Sequence, residues 1–195
     1  RLTNESVTDL LVFAKKGNTV FISLNQVNND LQKQLEITTN NLDERIYEKN
    51  TLKTLKGTFY LENKNFKEQS IIFDRNIQRH YVVTYNKNNT IVLGTTKIRE
   101  EKLPNFIKIY HGKGAVYIHT NPIVFTNYYL LKEQKKYAEN VLSYLPSSTI
   151  IWDTFTKKSK YSTQNEKEQK SVFKFFLEHT TLKWFLVISM AGILL

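Results

Sequence analysis

An uncharged apolar run, WFLVISMAGILL, occupies residues 184–195 and sets the strongest limit on how this chain can fold. A helix that crosses a bilayer needs about 20 apolar residues, and the run is still apolar at its last position. Trp184 begins the run directly after Lys183, a pairing typical of anchors at the membrane interface. The sequence therefore predicts a truncated transmembrane helix, which would bring the folded part beside a lipid bilayer through Trp184 to Leu195.

The apolar run divides the chain of 195 residues into three predicted parts. Residues 1–154 mix helix and strand patterns and are expected to form one α/β domain. Residues 155–181 contain a lysine-rich linker and the segment SVFKFFLEH, which favours a short amphipathic helix on a bilayer surface. Residues 182–195 would begin the span. Because the chain starts at Arg1 with helical patterning close behind, we expect it to be a piece of a longer protein.

Composition removes several classes of function. With no cysteine, the chain has no disulfide, no thiolate metal site and no cysteine nucleophile. The net charge of +10 suits an anionic partner. The lysines are scattered, however, and no arginine cluster, zinc-finger spacing or ribonucleoprotein motif accompanies them, so we predict no nucleic acid partner. An anionic lipid surface stays open as an alternative, since residues 157–183 hold seven lysines and three glutamates.

The N-terminal part follows the pattern of a parallel α/β sheet. The spacing of apolar residues predicts a helix over Glu5–Lys16, and Gly17 ends it before the apolar strand TVFISL at residues 19–24. A second helix is predicted at about residues 132–145, before Pro146, and a last strand at 148–152. Further short strands are predicted at residues 58–61, 70–73, 81–85, 90–93, 106–110 and 115–119.

Several stretches resemble one bacterial family. They are FAKKGNTVFIS (13–23), GKGAVYIHTNPIVFTNYYLL (112–131), YAENVLSYLP (137–146), IIWD (150–153) and SVFKFFLEHTTLKW (171–184). Together they resemble the family called domain of unknown function 4350. The resemblance implies a flavodoxin-like, class I glutamine-amidotransferase-like fold, with helices on both faces of the sheet and a first strand that precedes Arg1. It also implies a domain outside the cytoplasmic membrane, with membrane protein partners that include a MoxR-type ATPase system.

The sequence departs from the catalytic pattern of that fold. Active amidotransferases carry a cysteine nucleophile after a central strand, whereas the strand at 19–24 is followed here by Asn25 and Gln26. The resemblance therefore implies no catalytic residue, no cofactor and no enzymatic activity. On this basis the chain is predicted to be a non-catalytic, membrane-anchored binding or scaffold domain for an unknown ligand.

His119 is the strongest candidate for a ligand-binding residue. It ends a predicted strand, and open α/β sheets bind their ligands at such strand ends. With Thr120, Asn121 and Asn127 it would form a polar binding rim. The alternative is that His119 and Asn121 satisfy backbone groups in the turn before Pro122. No two histidines have metal-binding spacing, so no metal site is predicted.

A second hypothesis makes the chain a hydrolase of unfamiliar type that uses His119 as a base. Ser23, in the segment VFISLNQ, is the candidate nucleophile. That segment lacks the GxSxG elbow that usually exposes a catalytic serine, so the sequence gives this pair little support. The nearby Gly112-Lys113-Gly114 precedes a strand and favours a β-turn over a phosphate-binding loop.

Overall fold

The computed structural model describes residues 3–41, 56–75, 77, 80–98, 100–147, 149–151, 181 and 184. The chain divides into two compact units, residues 2–149 and residues 150–195 with Arg1. All the helices and strands given below belong to the first unit. Apart from residues 149–151 and 181, the predicted strand at 148–152 and the predicted linker and amphipathic helix at 155–181 lie outside the described residues.

The described part of the first unit contains four α-helices, one 3-10 helix and eight strands. The helices are α1 (Asn4–Lys15), α2 (Asn29–Leu35), the 3-10 helix (Pro122–Phe125), α3 (Asn127–Leu130) and α4 (Lys135–Leu142). The strands are β1 (Thr19–Ser23), β2 (Thr38–Asn41), β3 (Gly57–Leu61), β4 (Ser70–Phe73), β5 (His80–Thr84), β6 (Thr90–Ile98), β7 (Glu101–His111) and β8 (Gly114–His119).

Local side chains fix the ends of the first two helices. The hydroxyl of Thr3 accepts the backbone N–H of Ser6 at 3.2 Å, which caps α1 at its start. Gly17 follows α1 with φ +109°, a conformation that favours glycine. In α2 the side chain of Asn28 accepts the backbone N–H of Leu31 at 2.8 Å. After Gly17 ends α1, β1 begins two residues later at Thr19.

The main sheet is largely antiparallel, in the order β1-β8-β7-β6-β3-β4. Among the described strands only β1 and β8 pair in parallel. The predicted flavodoxin-like, class I glutamine-amidotransferase-like fold is therefore wrong, because that fold needs parallel strands joined by crossovers. Two antiparallel pairings cause the difference: β6 pairs with β7 as far as Ile98 and Glu101, and β7 turns into β8 at Gly112, whose φ is +62°. A second, two-stranded sheet pairs β2 with β5.

The main sheet buries apolar side chains on both faces. On one face α1 and α2 pack against alternate residues of β1, β7 and β8. On the other face an aromatic core lies under the 3-10 helix, α3 and α4. That aromatic core includes Phe59, Phe73, Phe106, Tyr117, Tyr129 and Tyr137. Because side chains alternate along a strand, Tyr117 and His119 of β8 both belong to the aromatic side.

Among the described residues, no helix combines the length and the hydropathy that crossing a bilayer requires. The predicted span at 182–195 falls outside those residues except for Trp184.

Candidate functional site

The candidate site lies where two parallel strands end together. Ser23 is the last residue of β1 and His119 the last of β8, and the two are paired in register. Parallel strands present their carboxyl ends at the same edge of a sheet. The hydroxyl oxygen of Ser23 is 3.4 Å from Nδ1 of His119. The fold therefore brings together two residues that are far apart in the sequence.

Two further contacts fix the proton on the His119 ring. The backbone N–H of Asn121 donates to Nδ1 at 3.3 Å. Since a backbone N–H can only donate, Nδ1 is the unprotonated nitrogen, and the proton of the neutral ring is on Nε2. Nε2 lies 3.2 Å from the hydroxyl of Tyr137 and donates to it. Ser23, His119 and Tyr137 thus form a continuous hydrogen-bonded chain, called here the Ser–His–Tyr chain.

Burial keeps this chain neutral. His119 is fully buried and contacts the rings of Phe106, Phe125 and Tyr137, with centroids at 5.6, 5.2 and 5.8 Å. Desolvation lowers the pKa of His119 to about 3. The same cause raises the pKa of Tyr137 well above its usual range. At neutral pH the imidazole is therefore uncharged, and the Ser23 hydroxyl shares the lone pair of Nδ1 with the backbone N–H of Asn121. An uncharged imidazole is the state that a general base requires.

The other predicted rim residues are divided by the fold. Thr120 and Asn121 are each 1% exposed. The Thr120 hydroxyl donates to the carbonyl oxygen of His80 at 2.7 Å, and Nδ2 of Asn121 donates to the same oxygen at 3.2 Å. The His80 oxygen that accepts both bonds belongs to β5, outside the turn before Pro122. Asn127 begins α3 as an exposed residue and lies outside this buried cluster.

Sequence reasoning missed two residues of the site, Tyr137 and Asn105. Tyr137 lies within the helix predicted at about residues 132–145, and no sequence pattern links it to His119. Asn105 is fully buried on β7, and both polar atoms of its side chain lack a hydrogen-bond partner in the described part of the chain. The only sequence signal for Asn105 is a polar residue immediately before the apolar strand run FIKIY.

The donor set of the described residues does not suit a metal ion. No group of three or more histidine, cysteine or acidic residues lies together in the described ranges. The buried polar side chains there are threonine, asparagine and histidine, with no carboxylate among them.

No family model matches the chain, and no curated protein matches it either. The resemblance to the domain of unknown function 4350 family accordingly stays a prediction. Several solved structures align with part of the chain. The β-galactosidase of Bacillus circulans sp. alkalophilus is 11% identical over 60% of this chain, with a TM-score of 0.42. The GH42 β-galactosidase Gan42B of G. stearothermophilus is 12% identical over 76% of this chain, with a TM-score of 0.45.

The exo-β-1,4-mannosidase Op5Man5 of Opitutaceae bacterium strain TAV5 is also 12% identical over 76% of this chain, with a TM-score of 0.45. This chain spans only 18%, 21% and 24% of these three proteins, respectively. TM-scores below 0.5 do not assign a glycosidase activity to it.

The sheet topology corrects the functional prediction. The main sheet is largely antiparallel, so the prediction of an amidotransferase-like binding or scaffold domain is wrong. The predicted lack of catalysis and of enzymatic activity was inferred from the missing cysteine of that fold, and it is withdrawn with the fold. The hypothesis of a hydrolase that uses His119 is the interpretation that remains for the site.

Proposed function

We propose that the chain is a hydrolase in which Ser23 is the nucleophile and His119 its general base. The observation that carries the proposal is the contact of 3.4 Å between the Ser23 hydroxyl and the unprotonated Nδ1 of His119. A serine hydroxyl is a weak nucleophile until an adjacent base takes its proton. Tyr137 supports the base from the opposite side, because its hydroxyl accepts the Nε2 proton at 3.2 Å.

The reaction that this arrangement supports is acyl transfer from an ester. The Ser23 oxygen attacks the carbonyl carbon while its proton moves to Nδ1 of His119. The bond from the carbonyl carbon to the leaving oxygen then breaks, and the proton on Nδ1 passes to the departing alcohol. Water repeats the two steps on the acyl-serine and releases the acid.

From the partners of His119 we expect a low rate of hydrolysis. During the first step His119 carries a positive charge in an apolar pocket, and Tyr137 is a neutral partner. A carboxylate stabilises an imidazolium ion better than a phenol does, which is why the usual triads contain an acid. The low pKa of His119, about 3, has the same cause, because the buried pocket disfavours the positively charged ring. We therefore expect a rate well below that of a triad with an aspartate.

Because the pKa of His119 is low, the pH dependence of the hydrolysis rate tests the proposal. The value of kcat/KM for p-nitrophenyl butyrate should stay level between pH 8 and pH 5, because His119 titrates only near its pKa of about 3. An ordinary histidine base would lose activity below pH ~6.5 as it takes up a proton. The measurement is the release of p-nitrophenol by the full chain, followed at the isosbestic wavelength. A tenfold fall by pH 5, or no hydrolysis above the buffer rate, would remove the proposal.

The predicted partners and location are separate from this chemistry. The bilayer contact through Trp184 to Leu195, the MoxR-type ATPase system and the place outside the cytoplasmic membrane stay predictions. So does the anionic-lipid alternative, which depends on residues 157–183.

A further inference from the structure

A cleft of about 460 Å³ lies between β5 and the first half of β7. The last residue of β8, His119, pairs with Phe106, so the residues of β7 before Phe106 have no partner on β8. Among the described strands, β5 pairs with β2 and not with this stretch of β7. Small-molecule sites usually have volumes of roughly 300–1,000 Å³, so the cleft between β5 and β7 is large enough for a small ligand.

The walls of this cleft are mostly apolar. Val83 of β5 is 50% exposed, and it shares the cleft with Leu103 and Pro104 of β7, which are partly buried. Tyr81 and Tyr85 line the cleft as well. A single exposed apolar side chain on a protein surface is ordinary, whereas a cleft that gathers several is the usual setting for the apolar part of a ligand.

The charge in the cleft is positive. Among the described residues that line it, Lys87 alone is charged. Lys87 is exposed, and its ammonium group takes part in none of the ion pairs of the described ranges. The carboxylate of Glu36 accepts the side-chain N–H of the neighbouring Asn86 at 2.7 Å, but Glu36 does not line the cleft. The cleft is therefore complementary to one negative charge beside an apolar body.

A strand of a partner protein would fit this cleft less well than a small molecule. Pro104 has no N–H, so a strand beside it would find no donor at that position. Proline and lysine are also the residues that commonly prevent strands from pairing at an edge, and both line the cleft.

We propose that the cleft between β5 and β7 binds an apolar monocarboxylate. Lys87 pairs with the carboxylate, and the apolar body lies against Val83 and Leu103. The cleft shares no residue with the Ser–His–Tyr chain. Its lining residue Val82 belongs to the core beneath α1 and α2, whereas His119 contacts the aromatic core on the other face of the sheet. This ligand site is independent of the proposed hydrolase.

The test is an NMR titration of the ¹⁵N-labelled full chain with 2-naphthoate and with its neutral counterpart, 2-naphthalenemethanol. The amide signals of residues 81–87 and 103 should shift with 2-naphthoate, with a Kd of about 1 mM or tighter. The neutral probe should bind at the same residues roughly threefold more weakly, because an exposed ion pair adds only a small increment to affinity.

Two variants and their matched controls locate the charge and the apolar wall. Lys87→Gln should lower the affinity for 2-naphthoate to that for the neutral probe, whereas Lys113→Gln, in the turn before β8, should not. Val83→Glu places a like charge beside the carboxylate and should weaken 2-naphthoate binding about tenfold or more. Ile91→Glu, at a residue of β6 that is 45% exposed and does not line the cleft, should leave the binding unchanged.

Several results would overturn this site. They are no saturable shift with 2-naphthoate, shifts that map to other residues, or equal affinity of the wild type for the two probes. Unchanged binding by Lys87→Gln would do the same, and this exposed position keeps the test valid if Val83→Glu does not fold. Ser23→Ala should bind 2-naphthoate as the wild type does, since a loss of binding there would place the ligand at the Ser–His–Tyr chain instead.

Discussion

Replacement of Ser23 by alanine is expected to lower kcat/KM for p-nitrophenyl butyrate about a thousandfold, because it removes the attacking oxygen. The hydroxyl contacts His119 from the end of β1, where the side chain is only partly buried. Its loss should therefore change Tm little. The measurement is the hydrolysis rate of purified full-length wild-type and variant chains, with Tm recorded for each.

Two companion variants make this result specific. His119→Gln should cost a similar factor, and the double variant should cost no more than either change alone, because a nucleophile and its base act as one unit. Thr19→Ala, at the opposite end of β1, pairs with Ala115 and should keep the wild-type rate. Losses that multiply in the double variant, or a Ser23→Ala chain as active as the wild type, would show that the two residues do not cooperate.

The largest effect on stability is expected at Gly114, the first residue of β8. A Cβ atom there would overlap the backbone carbonyl oxygens of Ala14 and Asn18. Those groups are fixed, since the N–H of Ala115 donates to the Asn18 oxygen at 3.2 Å and the N–H of Gly17 donates to the Ala14 oxygen at 2.9 Å. Gly114→Ala should therefore lower the free energy of unfolding by about 3 kcal/mol, measured by urea denaturation.

Gly57→Ala is the matched control for that prediction. The nearest atoms to a Cβ on Gly57 belong to the side chain of Ile77 rather than to backbone. A loss of roughly 1 kcal/mol is expected there. Equal losses at Gly57 and Gly114 would mean that α1 and β8 do not approach as closely as described.

The sequence predicts elements of this fold better than it predicts their pairing. The helix at Glu5–Lys16 corresponds to α1, because apolar periodicity and Gly17 are local signals. The parallel sheet was wrong because strand pairing depends on contacts between distant residues, which periodicity does not report. The helix α2 was missed because NDLQKQL is short and polar, with only Leu31 and Leu35 buried.

The candidate site shows the same division. His119 was identified because it ends a strand run, and that property is visible in the sequence. Its contact with Ser23 depends on the register of β1 and β8, and its contact with Tyr137 on the packing of α4. Asn105 lies at a bulge between β6 and β7, which no local pattern predicts. Register, packing and bulges are long-range features, so the full cluster was not predictable from local patterns.

The central claim is that His119 activates Ser23, and labelling with a fluorophosphonate tests it most directly. Such a probe forms a covalent bond with an activated serine and not with an ordinary one. Mass spectrometry of the digested full chain should find one adduct, on the peptide that contains Ser23, and His119→Gln should abolish it. No adduct on the folded wild-type chain, or an adduct that persists in Ser23→Ala, would contradict the account.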